Sequence, residues 1–526
     1  MSRELERNIR WGALLIILLV GWALALVRLG ERSLWADEGQ SAFLARSAGS
    51  EGILSALRVE YEKPLHLLVM IGAMRLGGSE TILRIPSAIA AVLALAVTYV
   101  LGSRLMGHAA GMAGAFLLAV SRFAVGYAQE ARTYALFELL ACLSLLLLLL
   151  ALTENRKRWW VGFALVTALL VYSHYFAWFV VGSEALFAGA LVLRGTWVER
   201  RLDPRLLRLA ASLLVVAVCY VPAVPWLFLS WRQAGAAGSA TPVAGLKPFR
   251  LTFPFLRNLI GVFGPQVGGW RYNLFAGAFL LGLVSLAVQR KGWTLALLGL
   301  WFALPLLALP LLQGSRFFNH RYLIFFLPLF LLTIGASIAA LATLLTRLPG
   351  ASALRPLRPF LTLALAVVLF LPADLPALQE YQRWEKENWR NIGLFMGRNL
   401  LPGEAIYVSP RYWSFPLLYY QPSFRQRLVG GSAEQLAELE RATAERPGFW
   451  FLRYSGPLGD PSGQLTDWVT AQGFDLLIAG SACGWGIDVY YRRFDDRPAA
   501  HQADLLRQAA EFCPTDPRFA TAPSGN

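Results

Sequence analysis

From the N-terminus to about residue 374 the chain repeats one pattern: a long apolar run, a short polar connection, another long apolar run. Runs able to cross about 30 Å of hydrocarbon lie near residues 11–29, 82–103, 109–126, 134–152, 159–175, 176–194, 207–229, 273–289, 293–312, 321–346 and 358–374. They predict eleven transmembrane helices. From about Leu375 the pattern changes. Trp384 to Leu400 alternates polar and apolar positions at helical spacing, Pro402-Gly403 is a turn signal, and Ala405-Ile406-Tyr407-Val408 is a short strand candidate. Helical spacing returns over Ala433 to Ala444 and Leu465 to Gln472, with Phe449-Trp450-Phe451-Leu452 as a strand between them. The sequence therefore divides into a polytopic α-helical membrane domain, 1–374, and a soluble α/β domain, 375–526.

Charge gives the pattern an orientation. Arg3, Arg7 and Arg10 precede the first run, and no small-residue cleavage site follows it, so it reads as an uncleaved anchor with a cytoplasmic N-terminus. Every second connection is then basic: Arg104; Arg156, Lys157 and Arg158; Arg200, Arg201, Arg205 and Arg208; Arg290 and Lys291; Arg347, Arg355 and Arg358. This alternation satisfies the positive-inside rule and places 375–526 outside the cytoplasm. The tail holds 15 Lys/Arg against 17 Asp/Glu, leaving 33 against 16 in the membrane part. The basic pI of about 9.9 thus belongs to contact with an anionic inner leaflet and not to nucleic-acid binding. Cys142 and Cys219 lie within spans, while Cys483 and Cys513 lie in the outer domain, where a disulfide is permitted; the sequence leaves that pairing open.

In this register the unusual polar residues collect on the outer side. The first outer loop carries Asp37 and Glu38 in SLWADEG, then Glu60, Glu62, Lys63 and His66, with apolar helical stretches between them. The second carries Tyr127, Gln129, Glu130, Arg132 and Tyr134; His174 and Tyr175 stand between the fifth and sixth spans; Arg316, His320, Arg321 and Tyr322 precede the tenth. Ionisable groups from several loops at one water boundary predict a single cleft. Each group also has a plainer use: Asp37 and Glu38 suit the first turn of a helix, His174 suits an aromatic belt, and the arginines suit a boundary anchor. Glu130 and Arg132 are two apart and would not face each other on a helix, so they should reach other segments.

With these strings in view, the chain resembles the GT-C class of integral-membrane glycosyltransferases, in the branch of bacterial relatives of protein O-mannosyltransferases and of the aminoarabinose transferase that modifies lipid A. The resemblance rests on Leu34-Trp35-Ala36-Asp37-Glu38, Leu83-Arg84-Ile85-Pro86-Ser87, Tyr127 through Leu136, Ser173-His174-Tyr175-Phe176 and His320-Arg321-Tyr322-Leu323, in that order and loop placement. One string departs from it. Where such proteins often read His-Pro-Pro-Leu, this chain reads Glu62-Lys63-Pro64-Leu65 with His66 displaced, which puts sugar and acceptor specificity in doubt.

The resemblance implies transfer of a sugar from a polyprenyl-phosphate donor to a lipid, glycan or protein acceptor, at the outer face of a bacterial or archaeal cell membrane. The residues suit that chemistry on their own terms, since a departing phosphate needs cations and an attacking hydroxyl needs a base. Asp37 is the expected base, with Glu38 and Glu130 as supporting carboxylates. Arg316, His320 and Arg321 are expected at the phosphate, and Tyr127, Arg132, Tyr134, His174 and Tyr322 at the substrate. Asp37 and Glu130 could also hold a divalent ion (Mg, Mn or Ca), although no motif fixes one. Phosphate leaves without a strong acid, so a single inverting displacement suffices. The competing reading is a flippase or exporter of lipid-linked glycan, which would line a transmembrane route with polar groups; Glu138 and Glu184 are the main acidic residues inside spans.

Overall fold

A computed structural model of the protein describes residues 3–59, 64–225, 251–265, 268–313, 318–383, 386–429, 436–444, 446–455, 460, 462–494 and 500–513. The membrane part runs through α1 (Arg3–Leu26), α2 (Ala36–Glu51), α3 (Ile53–Val59), α4 (Pro64–Leu76), α5 (Glu80–Leu105), α6 (His108–Val120), α7 (Arg122–Ala128), α8 (Tyr134–Glu154), α9 (Lys157–Ser173), α10 (Ala177–Glu199) and α11 (Pro204–Tyr220). It continues through α12 (Phe253–Phe263), α13 (Gly269–Val288), α14 (Gly292–Gln313), a 3-10 turn over His320–Phe326, α15 (Leu327–Leu345) and α16 (Arg358–Arg383). Among the described residues nine helices are long and apolar enough to cross a membrane, or ten if α6 and α7 form one span bent by 61°. Counting α9 with those ten gives the expected eleven; its 17 residues lie at the short limit for a span.

Sequence decides which helices sit in the middle. α8, apolar on every face, and the Leu- and Phe-rich segment leading into α15 are the most buried spans, as a helix with no polar stripe must be. Small residues let the central backbones touch: a Cβ at Gly102 would lie 2.7 Å from Gly111 Cα, and one at Gly335 would lie 2.4 Å from the Ala110 carbonyl oxygen. α6 thus fits tightly between α5 and α15.

The break between α6 and α7 matters for the outer face. Ser121 ends one helix and caps the next, its Oγ accepting from Ala124 N. The resulting bend delivers residues 129–133 beneath the first outer loop. Gln129 Nε2 donates to the carbonyls of Leu24 and Val27 at 2.7 and 2.8 Å, tying that segment to the open end of α1.

The C-terminal part is a four-stranded sheet of β1 (Ala405–Ser409), β2 (Gly448–Tyr454), β3 (Asp475–Ile478) and β4 (Ile487–Arg493), in order β1-β2-β4-β3. β1 and β2 are parallel, and β4 runs antiparallel to β2 and β3. Alternate side chains fill opposite layers. Ile406, Val408, Trp450 and Leu452 face α17 (Trp389–Asn399) and α21 (Ala500–Phe512), while Tyr407, Phe449 and Phe451 face α19 (Leu436–Ala444) and α20 (Gln464–Ala471). The expected strands and helices of this domain are present, and β3, β4 and α21 complete it. Cys483 and Cys513 are joined by a disulfide.

This domain is seated on the first outer loop. α18 (Ser414–Tyr420) packs against α2, so closely at Gly39 that a Cβ there would fall 2.5 Å from Pro416 Cα. Tyr420 Oη receives a hydrogen bond from Leu34 N and donates to Glu80, each at 2.8 Å, and Arg46 donates to the Tyr419 carbonyl. Membrane part and outer domain therefore share one polar seam.

Candidate active site

The two adjacent carboxylates of the first loop face different surroundings. Successive helical residues are about 100° apart, so at the start of α2 Glu38 turns inward and Asp37 turns to the cleft. Glu38 is buried and held by Arg84 through two bonds, Nε to Oε1 at 2.8 Å and Nη2 to Oε2 at 2.7 Å. It also accepts from Ala131 N at 2.7 Å and from Trp35 N at 3.4 Å. Burial works against its charge, but Arg84 and the Ala131 amide outweigh it and hold the carboxyl below its usual range. Arg84 further donates to the carbonyls of Leu29, Arg32 and Ser33. Arg84 and Glu38 thus lock the first and second outer loops together.

Asp37 keeps about 15 % of its side-chain surface exposed. Its Oδ2 lies 2.9 Å from Arg321 Nη2 and 3.7 Å from Arg132 Nη2. Arg132 Nη1 meanwhile donates to the Asp37 carbonyl and to Ser41 Oγ, at 2.9 and 2.8 Å, which ties Arg132 to the first turn of α2. Arg321 is set in an aromatic collar, its guanidinium 5.4 Å from the Trp35 ring, 5.3 Å from Tyr134 and 5.7 Å from Tyr322. Its buried Nε has no hydrogen-bond partner among the described residues. The neighbouring His320 stacks on Phe255, and its buried Nε2 is likewise without one. Arg316 lies outside the described residues, as do Glu60, Glu62 and Lys63.

Glu130 is buried beside Asp37's loop with one oxygen against Lys386 Nζ, and its Oε2 has no hydrogen-bond partner among the described residues. Burial pushes its carboxyl above the usual range, with Lys386 pulling the other way. Tyr127 packs edge-on against Tyr134. His174 is fully buried, its ring near those of Phe137, Tyr175 and Tyr322, and its Nδ1 accepts from Phe176 N. It props the aromatic collar from behind. The expected residues from the second loop, the α9–α10 junction and the 3-10 turn therefore converge, but His174 and Glu38 do so as supports rather than at the cleft.

Sequence reasoning passed over Lys386 and Glu387, which come from the segment leading into the outer domain. Lys386 also sits 4.1 Å from the Trp35 ring. The only signal was a Lys-Glu pair next to the outer boundary. With Lys386 on Glu130 and Arg321 on Asp37, cations already occupy the carboxylates proposed for an ion. Among the described residues no three His, Cys, Asp or Glu side chains gather as a metal site. Paired in this way, these residues do not fit a divalent ion.

Glu387 couples the domain to the site. Its Oε2 accepts from Ala36 N and from Trp389 Nε1, both at 2.8 Å, so it caps α2, the helix that carries Asp37. Burial pushes its carboxyl up to about 7, against those two hydrogen bonds and with Asp37's charge adding to the rise. A carboxyl raised on folding binds its proton more tightly in the folded state, so this group's contribution falls as pH climbs from its unfolded value of about 4.5 to about 7. The expected result is a thermal midpoint that drops across that window in the wild type and a shallower pH slope in Glu387→Gln. Identical slopes would show that Glu387 does not titrate there.

A sequence profile of the dolichyl-phosphate-mannose-protein mannosyltransferase family matches residues 62–226. Comparison with the curated proteins finds no match. In fold, the chain is similar to ArnT from Cupriavidus metallidurans, solved apo and bound to undecaprenyl phosphate, with TM-scores of 0.56 and 0.57, 14% identity, and 91% of this chain and 98% of that one covered. It is also similar to the Archaeoglobus fulgidus oligosaccharyltransferase tethered to an acceptor peptide (TM-score 0.53, 13% identity, 84% of this chain and 68% of that one covered). The chain has a GT-C-type fold. It is a multi-pass membrane protein with an extramembrane C-terminal α/β domain.

Proposed function

We propose that this GT-C-type protein is a glycosyltransferase that moves a sugar from a polyprenyl-phosphate donor to a hydroxyl on a lipid, glycan or protein acceptor, at the outer membrane–water boundary. The observation that carries the reading is the ion pair between Asp37 and Arg321: one carboxylate able to take a proton, beside one guanidinium able to hold a phosphate, at the water boundary of a bundle whose structural relative ArnT was solved bound to undecaprenyl phosphate. In the proposed step the acceptor oxygen attacks the anomeric carbon as the bond from that carbon to the phosphate oxygen breaks. The hydroxyl proton passes to Asp37, and the polyprenyl phosphate leaves with the bonding pair. One displacement inverts the anomeric centre. Arg321 has five N–H donors in a rigid fork, so it can keep Asp37 in place with one edge and receive phosphate oxygens on another. His320 Nε2 is the second proposed phosphate contact. Glu130 and Lys386 border the same site, and Tyr127, Tyr134 and Tyr322 supply rings for the sugar and the prenyl neck. Arg132 orients Asp37.

The donor site is tested on Arg321. Arg321→Lys keeps charge but loses the fork, and Arg321→Ala loses both, so affinity for polyprenyl phosphate should fall in that order. For Ala the fall should be on the order of tenfold or more. Unchanged affinity in a folded Arg321→Ala protein would move the donor elsewhere. Membrane-vesicle assays separate the rival class: passage of lipid-linked sugar across the bilayer with no transfer to any acceptor would favour an exporter.

We further propose that the N-terminus is cytoplasmic and the α/β domain extracytoplasmic, supported by the basic connections at alternate helix ends. A cysteine at Gln472, on the surface of the outer domain, should label with an impermeant maleimide in intact cells, while one at Lys157 should not. The reverse pattern would place the cleft on the cytoplasmic face.

A further inference from the structure

A cavity of about 1100 Å³ is bounded by α6, α13, α15 and α16. Its walls are apolar, with Leu281, Leu341, Leu344 and Phe370 among them. Leu281 and Leu344 are more than half exposed. The cavity follows α13 from Asn273 to Gln289, about 24 Å of helix, which exceeds the depth of one leaflet of a core about 30 Å thick. Phe275 and Phe370 meet edge-to-face at 5.1 Å and join α13 to α16. At the other extremity four helix ends converge and contribute His108, Gln289, Arg347 and Arg358.

That extremity is cationic and lacks a counter-charge. Among the described residues no Asp or Glu lines the cavity, and neither Arg347 nor Arg358 is in an ion pair. Arg358 Nε bonds Thr346 Oγ1 at 2.8 Å, which fixes its guanidinium at the mouth. An apolar trench ending in unpaired arginines at a membrane boundary has the charge pattern of a pocket for an anionic lipid headgroup.

We propose that this groove binds one anionic glycerophospholipid from the leaflet on the arginine-rich face, phosphate at Arg347 and Arg358, acyl chains along α13 and α15. The site is separate from the proposed donor site. The whole of α15, 19 residues or about 28 Å, stands between Arg321 and Arg347, so a lipid whose phosphate meets Arg321 does not place a phosphate here.

The test is native mass spectrometry of the full chain after delipidation and exposure to phosphatidylglycerol or phosphatidylcholine. One phosphatidylglycerol per chain should be retained, with at least tenfold preference over phosphatidylcholine, and Arg347→Gln with Arg358→Gln should erase the preference. Gly277→Phe supplies a variant that leaves the fold intact, because a Cβ at this cavity-lining position meets nothing within 4 Å; it should block retention of the lipid. Equal retention of both lipids, or retention unchanged in both variants, would overturn the proposal. So would a dimer that Gly277→Phe dissociates, which would make a second copy the occupant. Loss of the same bound lipid in Arg321→Ala would also overturn it, by assigning that lipid to the donor site.

Discussion

Asp37→Asn should cut transfer by on the order of 10² or more while the protein stays folded. The amide preserves the shape of the side chain, and the rings of Trp35, Tyr134 and Tyr322 still surround the Arg321 guanidinium, so the collar keeps its cation. What is lost is the group proposed to take the acceptor proton. A factor of 10² corresponds to about 2.7 kcal/mol of barrier, within the range of one general base. The measurement is turnover in proteoliposomes with a lipid-linked donor, alongside the thermal midpoint of the same sample. Near-normal turnover would remove Asp37 from the base role.

Glu38→Ala should behave in the opposite way, losing stability first. It leaves the Arg84 guanidinium buried, 4 % exposed, with no carboxylate beside it. Breaking a buried pair from one side costs about 3–5 kcal/mol, a large share of the roughly 5–15 kcal/mol that holds an ordinary protein folded. Glu38→Gln should fall between, since it keeps shape and loses charge. A Glu38→Gln protein as stable as the wild type but as slow as Asp37→Asn would mean that Glu38 takes part in the reaction rather than bracing the loops.

Adjacent residues in one motif thus separate into chemistry and support, and the separation explains what could be read from the chain. Apolar run length sufficed for the spans because hydrocarbon thickness is a one-dimensional constraint. It did not reveal that 109–126 is bent at Ser121, since a break changes direction without changing composition. That Asp37, Glu130 and Arg321 gather at one end of the bundle was legible from charge alternation. Whether Asp37 or Glu38 turns to the cleft depends on Arg84, 46 positions away, a tertiary fact that local pattern does not contain. His174 suited a cleft and an aromatic belt equally, and only the rings around it decide. Lys386 was passed over because its partners Glu130 and Trp35 come from the other end of the chain.

That last contact sets a timetable for the protein's own synthesis. Asp37 and Glu130 emerge early, while Lys386, Glu387 and Arg390 follow only after every membrane span has been made. Arg390 then bonds Glu80 and the carbonyls of Gly30, Glu31 and Arg32, beside the loop that carries Asp37. A nascent or truncated chain would hold its carboxylates without the segment that seats them. On the proposed function, such a chain should be inert toward a lipid-linked donor until the α/β domain has docked.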